Sequence, residues 1–260
     1  MESLFFGPSS APLYGVYCPA RPDRERGEGI VFCYPFGQEY MRAHRPIRQL
    51  ALALADMGYH VLRFDYRGSG DSAGSMDGLD TGDWIEGVKL AIEELRDIAA
   101  IRKISVIGLR LGGLMATLAA CEYTQINRLV LWDPVSSGDV YVERLKQDLP
   151  ELPIEAAKAN FIDSEQTIHV IGFSMPVKFQ QSLQSLGLAA LDISPITSVL
   201  QLVSHQSRDF TQLKEAWSGY QNFTYQLHPA PHDWSYVDNV GGILFPLPIM
   251  TAIKTWFLED

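Results

Sequence analysis

The sequence predicts an α/β fold, with a mostly parallel sheet, helices on both faces and one large insertion. A near-continuous apolar run at 29–34 reads as a strand buried on both faces, and the segments at 60–64 and 128–132 read as further strands. Amphipathic helical stretches alternate with these runs, which is the rhythm of βαβ units. A length of 260 residues with 47% hydrophobic content suffices for one large core.

Two apolar runs within residues 3–18, separated by Gly7-Pro8-Ser9-Ser10, predict an antiparallel hairpin. The strand at 29–34 enters a loop, Pro35-Phe36-Gly37-Gln38-Glu39. Ile47, Leu50, Leu52 and Leu54 then predict a helix over 43–57 that stops at Gly58. After the strand at 60–64 and the loop at 65–72, Trp84, Val88, Ile92 and Leu95 mark one face of a helix over 83–98. A strand at 103–107, a helix at 111–121 and the strand at 128–132 follow, the last ending at Asp133-Pro134. Residues 135–195 break the rhythm, with helical pieces at 140–145, 155–160 and 177–186 around a hairpin piece at 167–173. So long an excursion predicts a cap over a core made of residues 1–134 and 196–260. A strand at 197–203, a helix at 209–217, a strand at 222–227 and a helix at 246–258 complete the chain.

The formal charge of −10 argues against nucleic acid or anionic membranes as partners. Cys18, Cys33 and Cys121 have neither disulfide-framework nor metal-ligand spacing, and no metal or cofactor is expected. The first residues lack a signal-peptide pattern, and no run reaches the roughly 18 to 20 apolar residues of a membrane span, so the expected compartment is the cytoplasm.

The functional signal is Val106-Ile107-Gly108-Leu109-Arg110-Leu111-Gly112-Gly113, where an apolar strand turns through glycines into a helix. A G-x-S-x-G nucleophile elbow has this pattern, and Arg110 stands where its serine is expected. A guanidinium, with a pKa above about 12, stays protonated and cannot act as a nucleophile. At the positive end of a helix it needs a negative neighbour. A ligand carboxylate or phosphate qualifies, and so do Asp209, Asp133 and Glu39. Cys33, Ser69 and Ser72 are weaker nucleophile candidates, since no elbow presents them.

The elbow, the 35–39 loop, Asp65-Tyr66-Arg67-Gly68-Ser69-Gly70-Asp71-Ser72 and the late His232-Asp233-Trp234, in this order, resemble the α/β-hydrolase superfamily in its serine-aminopeptidase-like branch. Gly108-Leu109-Arg110-Leu111-Gly112, with the run from Leu129 to Val135, is similar to the exosortase A system-associated hydrolases of bacterial biosynthetic clusters. The resemblance implies an α/β-hydrolase fold with Asp209 as acid and His232 as base, Asp133 and His228 being their alternates. It also implies oxyanion donors at the backbone N–H groups of Leu111 and of Phe36 or its neighbour Gly37.

Two readings of function stay open. In the leading one, an enzyme acts on a small acyl, ester or acid-bearing metabolite without a serine acyl-enzyme. Arg110 holds an anion or oxyanion, and His232 with Asp209 moves a proton. In the other, Arg110 forms an internal salt bridge that plugs the pocket. The protein is then a catalytically silent binding or assembly partner, as a homodimer or paired with an intact hydrolase.

Overall fold

The computed structural model describes residues 1–123, 126–147, 161–163, 165–170, 172–234 and 244–259. β1 (Glu2–Phe6) and β2 (Leu13–Cys18) form the expected antiparallel hairpin. β2 also pairs antiparallel with β4 (His60–Phe64). β3 (Glu28–Cys33), β4, β5 (Lys103–Leu109), β6 (Ile126–Trp132), β10 (Ser198–Val203) and β11 (Phe223–Leu227) run parallel to one another. The sheet order is β1-β2-β4-β3-β5-β6-β10-β11, and the architecture is the α/β-hydrolase fold.

The central parallel strands are mainly apolar because successive residues feed two cores, although β4 carries Arg63 and β10 carries Gln201. Val31, Val106, Leu129 and Leu131 meet Trp84 and Val88 of α2 (Thr81–Ala99) and Leu114 of α3 (Leu111–Glu122). Ile30, Phe32, Ile107 and Val130 meet Ile47 and Leu50 of α1 (Gln38–Asp56) and Ile253 of α7 (Leu247–Leu258). All of these side chains are essentially inaccessible, and each fully buried one contributes about 1.5–3 kcal/mol.

α1 starts at Gln38, well before the expected 43. Gly37, at φ 63° and ψ −131°, turns the chain straight from strand into helix. Gln38, Glu39 and Tyr40 lack apolar periodicity, so the sequence conceals this first turn. Glu39 consequently lies on a helix whose N-terminus favours its negative charge. α2 starts two residues before the expected 83, where Asp80 accepts from the Gly82 N–H and Asp83 reaches back to the Asp80 N–H in a capping box.

Between β6 and β10 the chain forms α4 (Gly138–Gln147), a small antiparallel sheet of β7 (Phe161–Ile162), β8 (Ile168–Val170) and β9 (Phe173–Met175), and α5 (Val177–Gln184). The expected hairpin at 167–173 corresponds to β8 and β9, while the helical piece expected at 155–160 lies outside the described residues. Gly138 opens α4 because any Cβ there would overlap the Leu183 carbonyl of α5. Tyr141, Val142, Phe179 and Leu183 join the core on the α2 and α3 side. α6 (Arg208–Trp217) follows β10, capped by Ser207 through the Phe210 N–H at 3.2 Å. Among the described residues, no helix is long and apolar enough to cross a membrane.

Candidate functional site

Arg110 joins β5 to α3 at φ 53° and ψ −121°, a left-handed conformation that costs a non-glycine residue of order 1–3 kcal/mol. The turn is held by its neighbours. Arg110 N–H donates to the Trp132 carbonyl at 3.0 Å, and the Arg110 carbonyl accepts from Gly113 N at 2.9 Å and Val135 N at 3.1 Å. A Cβ on Gly108 would stand 2.5 Å from the Gly112 carbonyl oxygen, and one on Gly112 would overlap the Cys33 carbonyl. The glycines are therefore obligatory for this tight strand-to-helix turn.

Within the protein, the negative group that answers Arg110 is Glu39. Arg110 Nε donates to Glu39 Oε1 at 2.9 Å, and Nη1 donates to the Asp133 carbonyl at 3.2 Å. Tyr141, from α4, donates its hydroxyl to Glu39 Oε2 at 3.2 Å. The two charged side chains are 14% and 5% exposed, so the pair is shielded from water. Burial is the largest influence and works against the charged guanidinium, but Glu39, with Tyr141 and Asp133 adding to it, lifts the Arg110 pKa above its ordinary value. Burial, then Glu39, pushes the Tyr141 phenol well up, which keeps it a donor. The cavity beside Arg110, bounded by Val135, Ser136, Tyr141, His205 and Asp209, measures about 40 Å³. Pockets for metabolites run to roughly 300–1,000 Å³.

The expected acid and base are not joined to each other. Asp209 lies in the first turn of α6 and accepts from Arg144 Nη2 at 3.1 Å. His232 is exposed, and its Nδ1–H donates to the Ala230 carbonyl at 3.0 Å. Its ring stacks on His205, with centroids 3.9 Å apart and planes at 17°. Asp133 is fully buried at φ 43°. It accepts from the Ser204 N–H and hydroxyl, both at 2.7 Å, and from Trp234 Nε1 at 3.3 Å. Ser204 Oγ already donates to Asp133, so His205 Nδ1 at 3.2 Å must donate to Ser204. A His205–Ser204–Asp133 row results. Phe36 packs against the rings of Trp84 and Phe173, Gly37 faces Phe173, and Leu111 is buried as the first residue of α3.

Sequence reasoning missed Tyr141 and His205. Tyr141 carries no signal, since its helix lies in the least patterned stretch. His205 could have been found as a polar residue just past the carboxyl end of a core strand. Burial, then His232, holds the His205 pKa below its ordinary value; Arg110 and Arg144 add to this and Asp133 opposes it. A histidine kept neutral in the fold contributes stability that is full above its unfolded pKa of about 6.5 and is lost as pH falls through the lower folded value. Urea midpoints should therefore fall on acidification through that window, and His205→Gln should flatten the dependence. An unchanged slope would refute the assignment.

Another Ser–His–Asp row crosses the small sheet. Ser174 Oγ lies 3.0 Å from His169 Nδ1, and His169 Nε2 lies 2.9 Å from Asp163 Oδ2. His169 and Ser174 are directly paired across β8 and β9, with Phe161 stacked on the imidazole at 4.4 Å. They project from the face opposite the buried Ile168 and Met175, so the row staples the sheet.

Residues 40–167 match the family described as serine aminopeptidase, S33. A proline iminopeptidase of Lactobacillus helveticus (strain DPC 4571) is 26% identical over 197 residues, or 75% of this chain, and the chain spans 64% of that relative's length. Among solved structures, the α/β hydrolase GrgF from Penicillium sp. sh18 superposes over 99% of this chain and 96% of its own, with a TM-score of 0.69 and 15% identity. Est1E from Butyrivibrio proteoclasticus with bound ferulic acid covers 98% of both chains, with a TM-score of 0.67 and 16% identity. The class is thus an α/β-hydrolase-fold protein. Within that class the chain is similar in sequence to serine aminopeptidases.

Proposed function

We propose that this protein is a non-hydrolytic α/β-hydrolase-fold protein that serves as a binding or assembly partner. The observation that carries this reading is the buried Arg110–Glu39 pair, braced by Tyr141, in the place where a nucleophile and its substrate carbonyl would meet. The pair is satisfied from within, so no anionic substrate is needed to neutralise it. Asp209 and His232 are each engaged elsewhere, which further disfavours acid–base turnover. Residues 135–195 act as a cap in this reading, since they supply Tyr141 to the plug. The likeness to exosortase A system-associated hydrolases suggests a bacterial, cytoplasmic setting in a biosynthetic cluster. The partner is an intact hydrolase or a second copy of the chain.

A fluorophosphonate probe and a p-nitrophenyl ester test the reading together. The expected result is no covalent labelling and no hydrolysis above buffer. Stoichiometric labelling of a serine, or ester turnover abolished by His232→Ala, would overturn it.

A further inference from the structure

Arg63 on β4 is a buried cation for which the described residues provide no ion pair. It is 4% exposed; Nη1 donates to the Tyr34 hydroxyl at 2.9 Å, Nη2 approaches Met1 Sδ at 3.9 Å, and Nε has no hydrogen-bond partner. A charge held this way is costly unless something else answers it. Arg63 lines a cavity of about 380 Å³ between the N-terminal hairpin, α1 and the loop after β4. That volume falls within the range of about 300–1,000 Å³ typical of small-molecule sites.

The walls of this cavity have a definite chemistry. α1 places Tyr40, His44 and Arg48 four residues apart, hence on one face, all lining it. Tyr34 lies 5.0 Å from Tyr40, the rings tilted by 58°, and nearly parallel to His44 at 15° with centroids 6.3 Å apart, giving an aromatic wall. Arg48 adds a second cation to Arg63. Asp65 and Asp71 bring negative charge to the same cavity. Asp65 is fixed in place, its Oδ1 accepting from the Tyr40 hydroxyl at 2.9 Å and its Oδ2 from Asp71 N at 3.0 Å.

We infer that this cavity binds a small aromatic zwitterion of the amino-acid class. Its carboxylate pairs with Arg63 and Arg48, its ring lies against Tyr34 and His44, and its ammonium faces Asp65 and Asp71. Guanidinium–carboxylate contacts are the strong, charge-assisted kind, and the tyrosine ring adds cation–π attraction for the ammonium. Arg110 is not among the lining residues, so the site works with the elbow plugged and is independent of the proposed loss of hydrolysis.

Titration calorimetry on the full chain with L-phenylalanine, L-tyrosine and L-tryptophan tests this. At least one should bind saturably with a Kd at or below about 1 mM. For L-phenylalanine as the probe, removal of the ammonium (3-phenylpropionate) or of the carboxylate (phenethylamine) should each weaken binding by about tenfold or more. Arg48→Glu, at an exposed position, should weaken it by a similar factor of about ten, whereas Arg208→Glu on α6 should leave it unchanged. Silence from all three amino acids, equal binding of phenethylamine, or an unaltered Kd in Arg48→Glu would overturn the inference.

Discussion

Glu39→Ala is expected to lower the stability of the fold by about 3–5 kcal/mol, because it strands the Arg110 guanidinium in a site that is nearly closed to water. Tyr141 loses its acceptor at the same time. The cost arises from an uncompensated charge and not from the intrinsic worth of the pair, and a second variant separates these. Replacing both partners, Glu39→Leu with Arg110→Met, removes two desolvation penalties together with one attraction and should recover most of the loss. Urea unfolding of the single and double variants measures this directly. If Glu39→Ala stayed within about 0.5 kcal/mol of the parent, as ordinary surface changes do, the pair could not be the plug it is taken to be.

Asp133→Ala should be comparably damaging, at about 3–5 kcal/mol. The carboxylate ties the end of β6 to Ser204 after β10 and to Trp234 beyond β11, so three buried donors depend on it. Asp133→Asn fits the same space and tolerates the positive φ, but it offers one acceptor oxygen in place of two and should cost roughly half as much. Trp234 supplies a local readout. Its indole is 2% exposed and meets Trp132 edge-on at 5.4 Å, so losing its acceptor should change tryptophan emission before global unfolding.

The sheet was legible because a strand covered on both faces leaves little room for polar residues. Runs such as Ile30 to Cys33 and Leu129 to Trp132 announce themselves whatever surrounds them. The elbow was equally plain, since only glycine fits beside the Cys33 and Gly112 carbonyls. What the sequence left open was which negative group meets Arg110, because Glu39, Asp133 and Asp209 all belong to the same edge of the sheet. That choice depends on where α1 begins, and the first turn of α1 has no apolar spacing to reveal it. Tyr141 was invisible for a related reason, as its contact spans 102 residues and rests on how the insertion folds back. The Asp209–His232 pairing implied by the family resemblance gives way to two local solutions, an arginine for the acid and a second imidazole for the base.

The bridge between Glu39 and Arg110 also makes the altered elbow a ratchet. Arg110→Ser alone would place a hydroxyl in the turn, but would leave Glu39 without its cationic partner, held only by Tyr141. Such a charge repels any oxyanion forming there, so the variant would carry a nucleophile in a site hostile to its own transition state. Two simultaneous changes are required to go back, while each one singly leaves a buried charge uncompensated.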